Sequence, residues 1–182
     1  MSNYCYEEEK VKEYKSLVFN GGSMNDGTET EPDTIPLGSA NSNIRILGWL
    51  LPQGDTDEYS LTFSVPKDAA NRNQKAKVFV HLLTDNSNTP DGNRFAIRLS
   101  SLFARANGVV NAANINVNNS GNISIQQSPG NFQYNHYVIE FDLDEIIRAE
   151  DFALLSVART SVTNDYAGAL LLSSIEFRYV SK

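Results

Sequence analysis

The sequence predicts an all-β protein: an antiparallel β-sandwich of residues 16–182 behind an N-terminal arm of residues 1–15, with at most one or two short helices. Three observations predict it. Apolar residues recur at every second position through the middle and the end of the chain, as strands with one buried and one wet face require. Stretches rich in Gly, Asn, Asp, Ser and Pro separate these segments at short intervals. Alternating strand and helix units, the mark of a parallel sheet, are absent.

The elements follow in order. Residues 1–15 read MSNYCYEEEKVKEYK, charged and aromatic with no apolar run of leader type. Glu8 and Lys12 stand four apart, so a short helix is expected over 6–16. Strands are expected at 17–20 and 44–51, with a turn-rich stretch over 21–38. Tyr59, Leu61, Phe63 and Val65 alternate with Ser60, Thr62 and Ser64 until Pro66 stops the ladder. Val78, Val80 and Leu82 form the next strand, and Phe79 on its other side signals that this side is partly covered as well. Phe95, Ile97 and Leu99 stand opposite Arg94, Ala96 and Arg98. Short strands are expected at 115–117 and 123–127, and Tyr137, Ile139 and Phe141 mark another. Asp144 is placed to cap a helical turn or two over 144–151. Strands at 152–159 and 175–179 close the chain.

Fifteen basic residues against twenty-two acidic ones give a net charge of −7, which repels phosphate, so no nucleic-acid partner is expected. The longest apolar runs fall far short of a membrane span, so no membrane insertion is expected. Cys5 is the single cysteine and leaves no internal disulfide, as for folding in a reducing cytoplasm. His81 and His136 are the only histidines, and no Gly-x-Ser-x-Gly elbow or zinc-type spacing accompanies them; no catalytic residue, cofactor or metal is assigned. Asp85, Ser87, Asn88, Asp91 and Asn93, like Asp55, Asp57 and Glu58, offer oxygen atoms without the spacing of a calcium loop. Asparagines from 107 to 122 read as loop builders, with a stacked polar ladder as the sharper reading. Most of the nine Phe and eight Tyr sit at alternating, core-type positions. Tyr4, Tyr6 and Tyr14 do not; with Val11 they form the expected partner interface of the arm.

Two resemblances add to this reading. Glu140-Phe141-Asp142-Leu143-Asp144-Glu145 is similar to the E-x-D-x-x-E motif of a retaining glycosidase family built on a jelly roll. That resemblance implies Glu140 as nucleophile and Glu145 as acid/base, with carboxylates roughly 5–5.5 Å apart. From Tyr59 onward the order of features resembles the small jelly-roll domain of tail, fibre and other virion proteins of bacterial viruses. The matching pieces are YSLTFSVP from Tyr59 to Pro66, the strand of residues 77–83, IRAEDFALLSVAR from Ile147 to Arg159, and YAGALLLSSIEFRY from Tyr166 to Tyr179. Glu150 stands where that family often has Gly. This resemblance implies a jelly roll acting without catalysis as a structural or attachment component of a phage particle, after folding in the host cytoplasm. It also implies homo-oligomeric assembly, with a trimer as the expected count, docking of the arm, and contact with other virion proteins. The alternative is a glycan-binding module, with a cell-surface glycan as partner.

Overall fold

The computed structural model describes residues 13–25, 31–54, 58–70, 75–84, 93–126 and 130–182. Eleven strands are formed among these residues: β1 (Tyr14–Asn20), β2 (Asp33–Pro36), β3 (Arg45–Leu51), β4 (Tyr59–Ser64), β5 (Lys77–Thr84), β6 (Arg94–Ala104), β7 (Asn116–Asn119), β8 (Ile123–Ser124), β9 (Asn135–Asp142), β10 (Phe152–Thr160) and β11 (Leu170–Val180). They make two antiparallel sheets. Sheet A runs β2-β3-β11-β5-β9 with β1 also on β11; sheet B runs β4-β10-β6-β7 with β8 also on β6. With β1, β2 and β8 set aside, the eight principal strands change sheet at every connection except β6 to β7, which is the jelly-roll order.

The alternation read from sequence faces the core as expected. Val78, Val80, Leu82, Phe95, Ile97, Leu99, Leu155, Val157, Ile175 and Phe177 are all fully buried between the sheets. Phe63 links them to the edge, 5.0 Å from the Phe177 ring and 4.9 Å from Phe19, centroid to centroid. Trp49 packs on Tyr59 at 4.9 Å and donates its indole N–H to the Gly21 carbonyl at 2.7 Å. Phe79, on the outer side of β5, is covered as expected, by the Arg178 guanidinium 4.2 Å from its ring centre.

Strand β11 changes neighbour half-way. Leu170–Leu172 pair with β3, whereas Ser174–Val180 pair with β1. The crossing is tight: a Cβ on Gly48 would lie 2.5 Å from the Leu172 carbonyl oxygen, and one on Gly21 would lie 2.7 Å from Gly48 Cα. Only glycine allows the backbones to approach this closely.

Several sequence expectations are corrected. The helix over 6–16 is not formed at its described end, because Tyr14–Ser16 belong to β1, paired with Val180–Arg178. The sheet thus begins within the last two residues of the expected arm. No helix forms over 144–151 either. Its backbone is spent on neighbours: Glu150 N–H donates to Val65 O, Val65 N–H donates to Asp151 O, and the Asp151 carboxylate accepts from Arg148 N–H, each at 2.9 Å. Glu150 takes φ +66°, the left-handed conformation that glycine adopts at least cost. The helical content among the described residues is two 3₁₀ turns, Gly21–Ser23 and Ala112–Asn114. Strand β2, inside the expected turn-rich stretch, carries no alternation and ends in a proline that its edge position tolerates.

Candidate functional site

The register of sheet B assembles an outer face from residues far apart in sequence. Ser60, Ser156, Ser100 and Val117 lie side by side on β4, β10, β6 and β7. One row along stand Thr62, Leu154 and Leu102, and on the other side Ala158, Arg98 and Asn119. The floor is built mostly of small side chains, which leaves a groove of about 530 Å³, closed on one side by Ala112 and Ile115. The wall is held in place locally. Asn111 caps the 3₁₀ turn by accepting from Ala113 N–H at 2.8 Å, and Asn107 takes φ +63°. Both act as turn builders, the plainer of the two readings of the asparagine-rich region.

Two charges lie within the groove. Arg98 donates through Nη2 to Glu58 Oε1, and the Ser156 hydroxyl donates to Glu58 Oε2 at 2.9 Å. Among the described residues Glu58 is the sole partner of the Arg98 guanidinium, and its Nε–H has no acceptor. A guanidinium carries five N–H donors, so this partly exposed group has donors to spare beside a row of hydroxyls. Ile115 and Val117 add exposed apolar surface at the rim. Hydroxyls, a forked donor and an apolar rim suit a ligand with many hydroxyl groups and apolar C–H faces.

The outer face of sheet A is arranged differently. His81 Nδ1 and His136 Nε2 meet at 3.1 Å with rings 13° from parallel, and His81 Nε2 lies 3.9 Å from Glu176 Oε2. Ser16 donates to Glu176 Oε1 at 2.5 Å and Arg178 Nη2 does so at 2.8 Å. Ser16, then Arg178, hold the Glu176 carboxyl below its usual range. Burial, then the neighbouring His136, pushes the His81 imidazole below its usual value. A second cavity of about 210 Å³ on this face is floored by Leu50, Leu83 and Leu171 and flanked by Tyr134.

Of the residues singled out from sequence, Glu58 lies in the groove as the partner of Arg98. Glu140 is ion-paired with Lys77 on the outer side of β9, and Asp142 lies 3.3 Å from the same amine. The two carboxylates raise the Lys77 ammonium above its usual value. Glu145 accepts from the Ser101 hydroxyl of sheet B, so the Glu140 and Glu145 carboxylates engage different sheets. Trp49 is buried in the core. Tyr14 opens β1 opposite Val180 and is exposed. Tyr4, Tyr6 and Val11 lie outside the described residues, as do Cys5, Asp55, Asp57, Asp85, Ser87, Asn88 and Asp91. Asn93 accepts from Ile125 N–H through its carbonyl at 2.8 Å. Among the described residues no three His, Cys, Asp or Glu side chains converge to hold a metal, and no helix is long and apolar enough to cross a membrane.

Sequence reasoning missed the groove. Its signal was faint: serines on the polar side of three strands, and an arginine opposite the apolar run of β6.

No family model and no curated protein matches this sequence. Among solved structures the chain is similar to part of a cycloisomaltooligosaccharide glucanotransferase from Paenibacillus sp., at 14% identity over 87% of this chain and 18% of that one, with a TM-score of 0.43. It is similar to part of the dimeric latent PorU of Porphyromonas gingivalis, at 7% identity over 94% of this chain and 13% of that one, with a TM-score of 0.48. The xylan-binding module CBM15 is similar over 92% of this chain and 99% of its own length, at 9% identity and a TM-score of 0.45. This chain therefore spans only 18% and 13% of the first two proteins. At such scores and identities it is the strand order of the chain itself that defines its architecture.

Proposed function

We propose that this protein is a non-catalytic glycan-binding β-sandwich whose ligand lies across the outer face of sheet B. One observation carries the reading. A guanidinium about one-third exposed, with Glu58 as its sole partner among the described residues, stands with the hydroxyls of Ser60, Ser100 and Ser156 in an open groove. The separate engagements of Glu140 and Glu145 favour binding over hydrolysis, since a retaining glycosidase needs two carboxylates flanking one bond. The test is calorimetric titration with soluble oligosaccharides. Saturable binding that Arg98→Ala weakens by about tenfold or more supports the reading. Binding that survives the substitution undiminished, or no binding across a broad panel, rejects it.

A second proposal keeps the attachment role that the virion resemblance implies: the sandwich assembles as a homo-oligomer through its arm and presents the groove outward. Exposed Tyr14 and Val18 on β1 support it, because they leave apolar side chains uncovered on the strand that follows residues 1–12. Deleting residues 1–12 should lower the mass in light scattering while leaving the sandwich folded. An unchanged mass would reject arm-driven assembly.

A further inference from the structure

The pairing of the groove's two charges bears on which glycans it accepts. We infer that the groove takes neutral glycans and turns away acidic ones because Glu58 cancels the charge of Arg98, which makes Glu58 the specificity-determining residue of the site. This inference rests on the glycan-binding reading.

A uronate or sulfate is recognised by an unopposed cation, usually an arginine presenting its fork of N–H donors. Arg98 is the only Lys or Arg lining the groove among the described residues. Its Nη2 is already bound to Glu58 Oε1. The carboxylate is itself anchored, since Ser156 donates to its other oxygen at 2.9 Å. Glu58 is thus held by two side chains from two strands. An incoming anion would have to displace that carboxylate or lie beside it. Both groups are only about one-third exposed, at 36% for Arg98 and 38% for Glu58, so water screens their mutual attraction incompletely. The chain as a whole carries −7, which adds repulsion at long range.

A neutral sugar meets none of these obstacles. Pairing with Glu58 removes net charge from the guanidinium but leaves N–H donors for hydroxyl and ring oxygens. The Ser60 and Ser100 hydroxyls can donate or accept, as sugar hydroxyls require. Ala112, Ile115, Val117 and Leu154 supply apolar contact for the C–H faces of the rings. The site is thus neutral in sum and polar in detail.

Replacing Glu58 by Gln keeps the shape and removes the opposing charge. The test is calorimetric titration of wild type, Glu58→Gln and the double variant Glu58→Gln/Arg98→Gln. The probes are xylohexaose, cellohexaose and mannohexaose as neutral ligands and hexagalacturonate as the acidic one, in low salt and again in about 0.5 M NaCl, where charge screening is strong. Wild type should bind at least one neutral probe and bind hexagalacturonate at least about tenfold more weakly. Glu58→Gln should gain hexagalacturonate affinity by about tenfold, the gain should vanish in high salt, and the double variant should lack it. Wild type binding hexagalacturonate as tightly as the best neutral probe overturns the inference while leaving glycan binding intact. So does a folded Glu58→Gln, checked by its melting transition, that shows no such gain. If wild type binds none of the four probes, the glycan reading falls and this inference with it.

Discussion

The two outer faces of the sandwich share one sheet geometry and differ in how their polar groups are used. On sheet A, Ser16, Glu176, Arg178, His81 and His136 satisfy one another across four strands, and Lys77 takes both Glu140 and Asp142. On sheet B the floor is built of serines with Leu154 and Val117, and among the described residues its arginine has Glu58 as sole partner. A face whose polar groups are spent on one another gains little from a ligand, whereas a face with spare donors and room gains a great deal. Polarity alone therefore does not mark the binding face; unfilled space beside unspent hydrogen-bonding capacity does.

The largest expected effect tests the claim that sheet A is full at its crossing. Gly48→Ala pushes a methyl group into the Leu172 carbonyl and the Leu171 side chain, and should cost about 1–3 kcal/mol in urea unfolding. Ser60→Ala on sheet B should stay within about 0.5 kcal/mol. Equal costs would erase the distinction between the faces. Next in size, Arg98→Ala should cost at most about 1 kcal/mol of stability, since it removes a partly exposed ion pair. The same change should weaken glycan binding by about tenfold or more. A large loss of stability with binding retained would make Arg98 a structural residue only.

A pH series probes the polar cluster of sheet A. His81 is held below its ordinary pKa of 6.5 by burial and by His136, so the folded state resists a proton that the unfolded chain accepts. Its contribution to stability is complete above pH 6.5 and is lost as the pH falls below that value. Thermal melts from about pH 7.5 down to about pH 5 should show the decline, and His81→Gln should flatten it. An unchanged slope in the variant would assign the decline to other groups. The smallest effect lies at the corner between β4 and β10. Glu150→Gly relieves a left-handed φ of +66° and gives up an exposed contact to Lys67, for a gain of at most about 1 kcal/mol in the same melts.

Much of the fold was legible because each principal strand writes its buried face into the sequence as alternation, as Phe95, Ile97 and Leu99 do on β6. Alternation fails where a strand is short and lies at an edge, as in β2, or where both sides are covered, as in Leu170, Leu171 and Leu172 at the start of β11. The false helix over 144–151 shows the limit of local signals. Asp144 does not cap a turn but pairs with Lys75, while Glu150 and Asp151 bond to Val65, just past the end of β4, which no local window reveals. The groove was hidden for a related reason. Ser60, Ser100 and Ser156 are ordinary polar-side residues until register sets them side by side. Glu140 and Glu145 drew attention through proximity in sequence, yet their partners lie in different sheets.

Backbone amide shifts, followed by NMR during titration with an oligosaccharide that binds, decide which face carries the ligand. Perturbations are expected at Ser60, Arg98, Ser100, Val117 and Ser156, with Phe79, His81 and Glu140 unmoved. Perturbations confined to the second group would put the ligand on the outer face of sheet A and overturn the assignment of the groove.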